Sequence, residues 1–409
     1  MKIVYINTVC STGSTGKITT SLYHLSKSAG HEPYIAYGRG TAASELNSYK
    51  IGNLLDFGAH VLSNFFRGNS GFASLKVTKK FILWLEEIQP DLIHLHNIHG
   101  FYINIPLLFD YIKRKQIPVV WTLHDCWPIT GQCAFFEYSG CEKWKKECYS
   151  CPVYRSDYPY SLFKDNSKKN YYIKKETFTN IPKMIIVTPS HWMAFLIKES
   201  FLKEYPVITI PNGIDLNIFS PNTNNVSSKV PLSQNPLDNN KRILLGVANV
   251  WDKRKGLEYF KELADTLDSN YHIVLIGVSK KQQKKLGKQY PNRITAITRT
   301  TNQKELAEWY RNAYAFINPT LEDNFPTTNL EALACGTPVI TFNTGGSPEA
   351  LTSSCGIVVE KGNIKKLKEA ILSLENSTEI TSSTCRIRSL IYDKDRVFEP
   401  YLELYNRIL

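Results

Sequence analysis

Short apolar runs alternate along this chain with stretches in which apolar side chains recur every third or fourth position. The runs "KIVYINTV" (2–9), "EPYIAYG" (32–38), "PDLIHLH" (90–96), "PVVWTLHD" (118–125), "KMIIVTPS" (183–190) and "PVITIPNG" (206–213) read as strands. Several are apolar without alternation, which marks strands buried on both faces of a parallel sheet. Between them, 17–29, 54–66 and 74–89 carry helical periodicity. The Asn-, Ser- and Pro-rich tract 220–240 reads as linker, and the alternation then restarts with "KRILLGVAN", "YHIVLIG", "RITAIT", "AYAFINPT" and "GTPVITF". Repeated β–α units predict an α/β fold with two Rossmann-like, doubly wound domains facing across a cleft. The expected boundaries are 1–215 for the first domain, 216–240 for the linker and 241–385 for the second domain. An irregular insertion interrupts the first domain over 126–160. Ligands in such folds bind beyond the carboxyl ends of the strands.

The stretch "VCSTGSTGKITTSL" (9–22) lies at such an end. A P-loop needs four residues between its first Gly and the Gly-Lys pair, then Ser or Thr. Only Ser14 and Thr15 separate Gly13 from Gly16, and Ile18 follows Lys17, so a P-loop ATPase is excluded. Gly13, Gly16 and Lys17 instead suit close backbone approach to a diphosphate or an acceptor, or simply a tight turn between strand and helix.

Composition narrows the class. No run approaches the roughly 18 apolar residues that cross a bilayer, and "MKIVYINTVC" turns polar too early for a signal peptide. A cytoplasmic protein is expected. The net charge of +12 suits phosphorylated ligands or an anionic membrane surface. No nucleic-acid motif accompanies it, so nucleic acid is not an expected partner. Lys76, Lys79 and Lys80 beside Phe72, Phe81 and Trp84 form a candidate patch for contact with the inner face of the membrane; an ordinary helix packed on its sheet has the same pattern. Of nine cysteines, Cys133, Cys141, Cys148 and Cys151 cluster around a Cys-x-x-Cys pair and form a candidate structural zinc site. Ordinary thiols in an irregular insertion are the alternative. The other five read as buried small apolar residues.

Most chemistry gathers in "NPTLEDNFPTTNLEALACGTPVITFNTGGSPEAL" (318–351). A strand ends near Asn318, Glu322 and Asp323 occupy a loop, and Pro326 fits the first turn of a helix with Asp323 or Asn324 as cap. Eight helical residues rise roughly 12 Å, so Asp323 and Glu331 cannot grip one atom. They suit the two ends of an elongated ligand whose diphosphate meets the helix N-terminus.

Asp323-x7-Glu331, followed by "LEALACGTPVI" and "GGSPEAL", resembles the acid-x7-Glu motif of retaining GT-B glycosyltransferases, a large family that includes bacterial polysaccharide and phosphoinositol mannosyltransferases. "TLHD" (122–125), "IPNGID" (210–215) and "RKG" (254–256) extend the resemblance over nearly the whole chain, and the four-cysteine insertion looks like a capsule and exopolysaccharide subgroup. The resemblance implies that Glu331 holds the donor ribose and that backbone around Phe325, Pro326 and Thr327 holds the diphosphate. The first acid, Asp323 or the adjacent Glu322, would lie near the donor sugar, with Asn324 beside it. Lys255 matches the cation that neutralises the leaving diphosphate; its usual Arg partner is replaced by Asn249, for which Arg254 or Lys253 is the candidate substitute. Arg299 suits a place near the base or a plain surface role. His124 matches a histidine that contacts the donor sugar; Asp125 suits orienting it or capping the next segment. Gly13, Lys17, Asn97, His99 and Asp125 fall on the acceptor side. Residues 386–409 would form a C-terminal helix returning to the first domain.

The activity so implied is transfer, with retention, from a nucleoside-diphosphate sugar to a saccharide or polyprenyl-linked acceptor in surface polysaccharide biosynthesis. No catalytic metal or other cofactor is expected; "DKD" (393–395) lies in a helical pattern and reads as surface charge. Same-fold alternatives are a nucleotide-sugar epimerase or a phosphorolytic enzyme, and a zinc-containing nucleic-acid-binding protein is a third reading.

Overall fold

The structure is a computed structural model that describes residues 1–221 and 241–409; positions 222–240 of the expected linker lie outside the described residues. The chain forms two compact units, Met1–Pro211 with Val397–Leu409, and Asn212–Arg396.

The first unit runs β1 (Lys2–Val9), α1 (Gly13–Ser28), β2 (Glu32–Arg39), β3 (Ser48–Lys50), α2 (Leu54–Arg67), α3 (Leu75–Ile88), β4 (Leu92–Leu95), α4 (Ile105–Lys115), β5 (Val119–Thr122), α5 (Ser167–Phe178), β6 (Met184–Thr188), α6 (His191–Lys198) and β7 (Val207–Thr209). Its strands pair in parallel in the order β3-β2-β1-β4-β5-β6-β7. Apolar runs without alternation are required here, because each face of the sheet meets its own cluster. Val4, Ile6, Ile93 and Trp121 face one; Ile3, Tyr5, Leu92 and Val120 face the other.

The second unit runs β8 (Arg242–Val247), α7 (Leu257–Thr266), β9 (Tyr271–Ile276), α8 (Lys280–Gln289), β10 (Ile294–Ile297), α9 (Gln303–Arg311), β11 (Ala315–Asn318), α10 (Thr327–Ala334), β12 (Val339–Phe342), β13 (Gly356–Val359), α11 (Ile364–Ser373) and α12 (Ser382–Ser389). Its strands pair in parallel in the order β10-β9-β8-β11-β12-β13. The short α13 (Lys394–Val397) precedes α14 (Pro400–Ile408). In α14, Tyr401, Leu404, Tyr405 and Ile408 join Ile3, Tyr5, Ile18 and Leu22 in the first unit's core. Residues 386–396 stay with the second unit, so the returning segment is shorter than 386–409.

Three local expectations need correction. α1 begins at Gly13, not near Lys17, because Gly13 takes a left-handed φ of +65° that turns the chain directly into the helix. Pro326 is the cap residue of α10 rather than part of its first turn. Phe81 is fully buried and Trp84 stacks on Phe81 and Tyr49, so two of the three aromatics of the 72–84 patch are core packing, while Phe72 is half-buried. The lysines at 76, 79 and 80 remain exposed.

Candidate functional site

Strand order reverses twice. In the second unit the first strand, β8, lies between β9 and β11. The helices that follow β8 and β11 therefore pack on opposite faces of the sheet, and the carboxyl edge at such a reversal is the usual ligand position. Lys253–Lys255 form a one-turn helix after β8, capped by Asp252, whose side chain accepts from the Lys255 N–H at 3.0 Å. Gly256 follows with φ +77°; a Cβ there would lie 2.1 Å from the Pro319 carbonyl oxygen, so only glycine lets the two loops touch. They are joined further by Leu321 N–H donating to Arg254 O at 2.7 Å and by Arg254 Nη1 donating to Glu322 O at 2.7 Å. Across this junction Lys255 Nζ donates to Asp323 Oδ2 in an ion pair. Burial by itself raises the Asp323 carboxyl; the Lys255 and Arg254 cations outweigh it and hold the group below its ordinary value.

Of the two acids, Glu322 is completely buried, and Asp323 is the one engaged by Lys255. A third strand end holds the acid loop in place. Gly345 (φ +56°) packs so closely that a Cβ would lie 2.0 Å from Asp323 O, and Gly346 N–H donates to that oxygen at 3.0 Å. Beyond the loop, α10 begins with no side-chain cap, so its first-turn N–H groups are presented without a competing carboxylate or hydroxyl. Buried Asn329 fixes the helix, accepting from Asn318 Nδ2 at 2.9 Å and donating to Ser347 O at 3.0 Å. Glu331, one turn on, accepts from the Tyr310 hydroxyl at 2.9 Å. Burial and then the Glu331 charge push the Tyr310 hydroxyl well above its ordinary value, so it stays a donor.

The remaining donor-side candidates spread out. Asn324 is buried and bonds its backbone N–H to Asp323 Oδ1 at 3.0 Å, and the Phe325 carbonyl accepts from Asn212 Nδ2 at 2.9 Å. Asn249 is exposed just after β8. Arg299 is exposed after β10, three strands from β11. At roughly 4.8 Å per strand that is roughly 14 Å, so Arg299 is not brought to the acid loop.

In the first unit the reversal lies between β1 and β4. Gly13, Gly16 and Lys17 lie in the first turns of α1, after β1. Gly16 is buried 3.2 Å from Ser11 N and Val9 Cγ2, measured from where a Cβ would stand, so its role is close packing of helix on strand. Asn97, after β4, bonds to β1 through its backbone: its N–H donates to Asn7 Oδ1 at 3.2 Å and its carbonyl accepts from Thr8 Oγ1 at 2.9 Å. His124, after β5, pairs its Nε2 with His96 Nδ1 at 3.0 Å, and His96 stacks on His94 at 4.3 Å. Burial drives His124 down to about 4 and His94 and His96 well below the ordinary 6.5, so all three are neutral. Asp125 does not bond to His124; it accepts from His99 Nε2 at 2.9 Å and from the Trp127 N–H at 2.9 Å.

The four cysteines line one small cavity of about 10 Å³ together with Trp144 and Lys143. The donor set suits Zn²⁺. The sulfurs lie as hydrogen-bonded thiols: Cys133 bonds to Cys151, and Cys148 accepts from the Gly131 N–H at 3.2 Å. Among the described residues no group of three His, Cys, Asp or Glu side chains is arranged to hold a metal ion.

Two contributors escaped the sequence reading. Tyr310 lies on α9 and meets Glu331 only because α9 packs beside α10. Buried Lys174, on α5, donates to Trp127 O at 2.7 Å and Thr130 O at 2.9 Å, and lies 3.3 Å over the Trp127 ring, holding the segment that follows Asp125.

Comparison with known proteins agrees with this architecture. The family model described as "Glycosyltransferase Family 4" matches residues 18–218, and that described as "Glycosyl transferases group 1" matches 231–386. The putative colanic acid biosynthesis glycosyl transferase WcaC of Escherichia coli is 22% identical over 78% of this chain and 77% of its own. The N,N'-diacetylbacillosaminyl-diphospho-undecaprenol alpha-1,3-N-acetylgalactosaminyltransferase of Campylobacter jejuni is 26% identical over 58% of this chain and 63% of its own. Among solved structures, sucrose-phosphate synthase from Thermosynechococcus elongatus superposes with a TM-score of 0.72 at 16% identity, covering 100% of this chain and 98% of that one. Anabaena HepE in complex with UDP gives 0.67 at 15% identity, with 100% of each chain covered. Two parallel sheets of this order, with both family models matched in sequence along the chain, make it a member of the group 1, family 4-like glycosyltransferases of GT-B fold.

Proposed function

We propose that this glycosyltransferase moves a sugar, with retention and without a catalytic metal, from a nucleoside-diphosphate donor to a hydroxyl of a saccharide or polyprenyl-linked saccharide in surface polysaccharide assembly. The observation that carries the donor half is the junction at β8 and β11, where Lys255, Arg254 and the uncapped start of α10 meet one buried acid loop. Breaking the bond between the anomeric carbon and the phosphate oxygen leaves negative charge on the diphosphate. Fixed cations and a helix N-terminus stabilise that charge more in the transition state than in the bound donor. In this reading Asp323 anchors the Lys255 ammonium, Glu331 accepts from the ribose hydroxyls, and Tyr310 orients the Glu331 carboxylate. The first unit serves the acceptor, with His124 offered as a neutral imidazole to the reacting sugar. The Campylobacter relative, whose name specifies a diphospho-undecaprenol acceptor, supports a lipid-linked acceptor, and WcaC supports a polysaccharide pathway. Titratable groups placed as a base for the acceptor hydroxyl are not required if the departing phosphate oxygen takes that proton. Zinc at the four cysteines belongs to the proposal as a structural element of the insertion; it would replace the Cys133–Cys151 hydrogen bond.

The test is thermal denaturation with a panel of nucleoside diphosphates and their sugars. A ligand at a hundred times its Kd stabilises by about 2.7 kcal/mol. Glu331→Ala is expected to lose that stabilisation and all transfer while melting normally without ligand. A panel without effect, or a Glu331→Ala variant that binds and transfers as the unsubstituted protein does, removes the assignment.

A further inference from the structure

The loop after β4, residues 97–102, is pinned against β1 and β2. A Cβ on Gly100 would lie 2.2 Å from Thr8 Cγ2, and one on Gly38 would lie 2.3 Å from Tyr102 Cγ. The hydroxyls of Thr8 and Tyr102 both donate to the Asn97 carbonyl at 2.9 Å. Near buried His99 and Tyr102, this loop leaves Phe101 half-buried at a left-handed φ of +64°. The other non-glycine residues of positive φ among those described are Ser, Gln or Asn, polar residues of loops and helix ends. A phenylalanine in that conformation is strained, and strain of this kind gathers at ligand sites.

Phe101 is the centre of an aromatic row drawn from three segments. Its ring meets Phe57 of α2 at 6.2 Å and Tyr158 of the cysteine-bearing insertion at 5.8 Å, both steeply inclined to it. Buried His60 stands against it at 5.6 Å, fixed by Ser74 Oγ at 2.8 Å and by the Gly71 N–H at 3.2 Å. Tyr158 directs its hydroxyl inward, to the His99 carbonyl at 3.1 Å and to His99 Nδ1 at 3.1 Å, yet the residue is 38% exposed. Its ring is therefore what it offers to a ligand. Arg39, the last residue of β2, is exposed and carries its guanidinium over Phe57 at 5.2 Å. Its charge also reaches Tyr158: burial and then Asp125 push that hydroxyl up, and Arg39 opposes them. Among the described residues no carboxylate or carbonyl pairs with this guanidinium, so its five N–H donors are unused.

The four side chains follow β2, β3, β4 and β5, at the carboxyl edge where such sheets bind ligands. Core packing alone would bury these rings and would not hold the central one in a strained backbone. Half-open rings beside unused donors match a pyranose, whose C–H groups cover an aromatic ring while its hydroxyl oxygens accept at the rim.

We propose that Arg39, Phe57, Phe101 and Tyr158 form a saccharide subsite that takes a pyranose ring of the acceptor, which makes the insertion a specificity element. Naming the ligand as acceptor rests on the functional reading, but the test is binding, without transfer. The full chain is titrated calorimetrically with gluco-, galacto- and manno-configured di- and trisaccharides, and at least one configuration is expected to bind. Phe101→Asn, whose side chain tolerates a left-handed backbone, is expected to weaken that binding at least about tenfold while melting within a few degrees of the unsubstituted chain. Tyr158→Ala is expected to weaken it similarly, whereas Tyr158→Phe keeps the ring and binds as the unsubstituted chain does. Arg39→Gln is expected to lower affinity several-fold. Absence of binding by every saccharide, full affinity in folded Phe101→Asn, or equal losses in Tyr158→Ala and Tyr158→Phe would each overturn the proposal. The nucleoside diphosphate panel is run on the same samples. Nucleotide binding without saccharide binding sinks this subsite and leaves the functional reading intact; saccharide binding without nucleotide affinity does the reverse.

Discussion

Replacing Lys255 by methionine keeps the aliphatic stem and removes the charge that faces Asp323. The two side chains are 21% and 16% exposed, between a surface ion pair and a fully buried one. Breaking a buried pair from one side costs about 3–5 kcal/mol, whereas exposed pairs contribute about 0–1. With Arg254 still close to Asp323, the loss for Lys255→Met comes to about 2 kcal/mol, which lowers the melting temperature of a unit of this size by about 4–8 °C. The pH dependence also changes sign. In the unsubstituted protein the carboxyl lies below its ordinary value, so its stabilisation is complete above the unfolded value near 3.8 and is lost as pH falls through the folded one. Without Lys255 burial dominates, the carboxyl rises, and the variant gains stability as pH falls from 7 towards 5. Transfer is expected to fall about 10²–10³-fold. The double variant Lys255→Met/Asp323→Asn separates the roles: calorimetry across pH shows most of the stability restored, because no charge is left unpaired, while transfer stays lost. Unchanged melting and an unchanged pH slope in Lys255→Met would refute the electrostatic argument, and recovery of transfer in the double variant would refute the role at the diphosphate.

Other consequences are open to measurement. Gly345→Ala places a Cβ 2.0 Å from Asp323 O at φ +56° and is expected to cost about 1–3 kcal/mol and to impair nucleotide binding. Gly287→Ala, in α8 with nothing within 4 Å, should instead stabilise by about 0.5–1 kcal/mol; denaturant titrations giving the two equal effects would contradict this. The first unit is expected to lose stability as pH falls from 6.5 towards 4, because burial keeps His94, His96 and His124 unprotonated in the fold while the unfolded chain takes up protons; identical melting at pH 7 and 5 would count against it. Elemental analysis of protein prepared without added metal is expected to give about one zinc per chain, falling in Cys148→Ser/Cys151→Ser; a folded, zinc-free preparation would end that part of the proposal.

The strands with unbroken apolar runs were legible in sequence because both faces of a parallel sheet are covered. β3 was not, since "SYK" at a sheet edge buries little. β13 was missed as well: "GIVV" is brief and follows a turn. The acid loop and Glu331 were readable from spacing, whereas Tyr310 depends on two helices packing side by side. Pairing of Asp125 with His99 rather than His124 depends on how β4 and β5 end, which periodicity does not carry. For α2 the period is evident, but period alone directs leucines inward, whereas Leu54, Leu55 and Leu62 are exposed; the inversion comes from bonds made by Gly71 and Ser74, just beyond the helix, and by Tyr160, 96 positions from its partner Asn64.

The hydroxyls of Tyr5 and Tyr405 lie 3.2 Å apart across a separation of 400 positions, and Tyr405 also holds His94 at 2.7 Å. During synthesis, therefore, the opening strand leaves the ribosome long before the residues that seal its helical face. The intervening unit can fold in that interval, while the earlier one waits with Ile3, Tyr5 and Leu92 partly uncovered. Emergence of α14, rather than of the first half, is then the event that completes the first unit's core, and truncation upstream of Pro400 should yield a chain that chaperones retain.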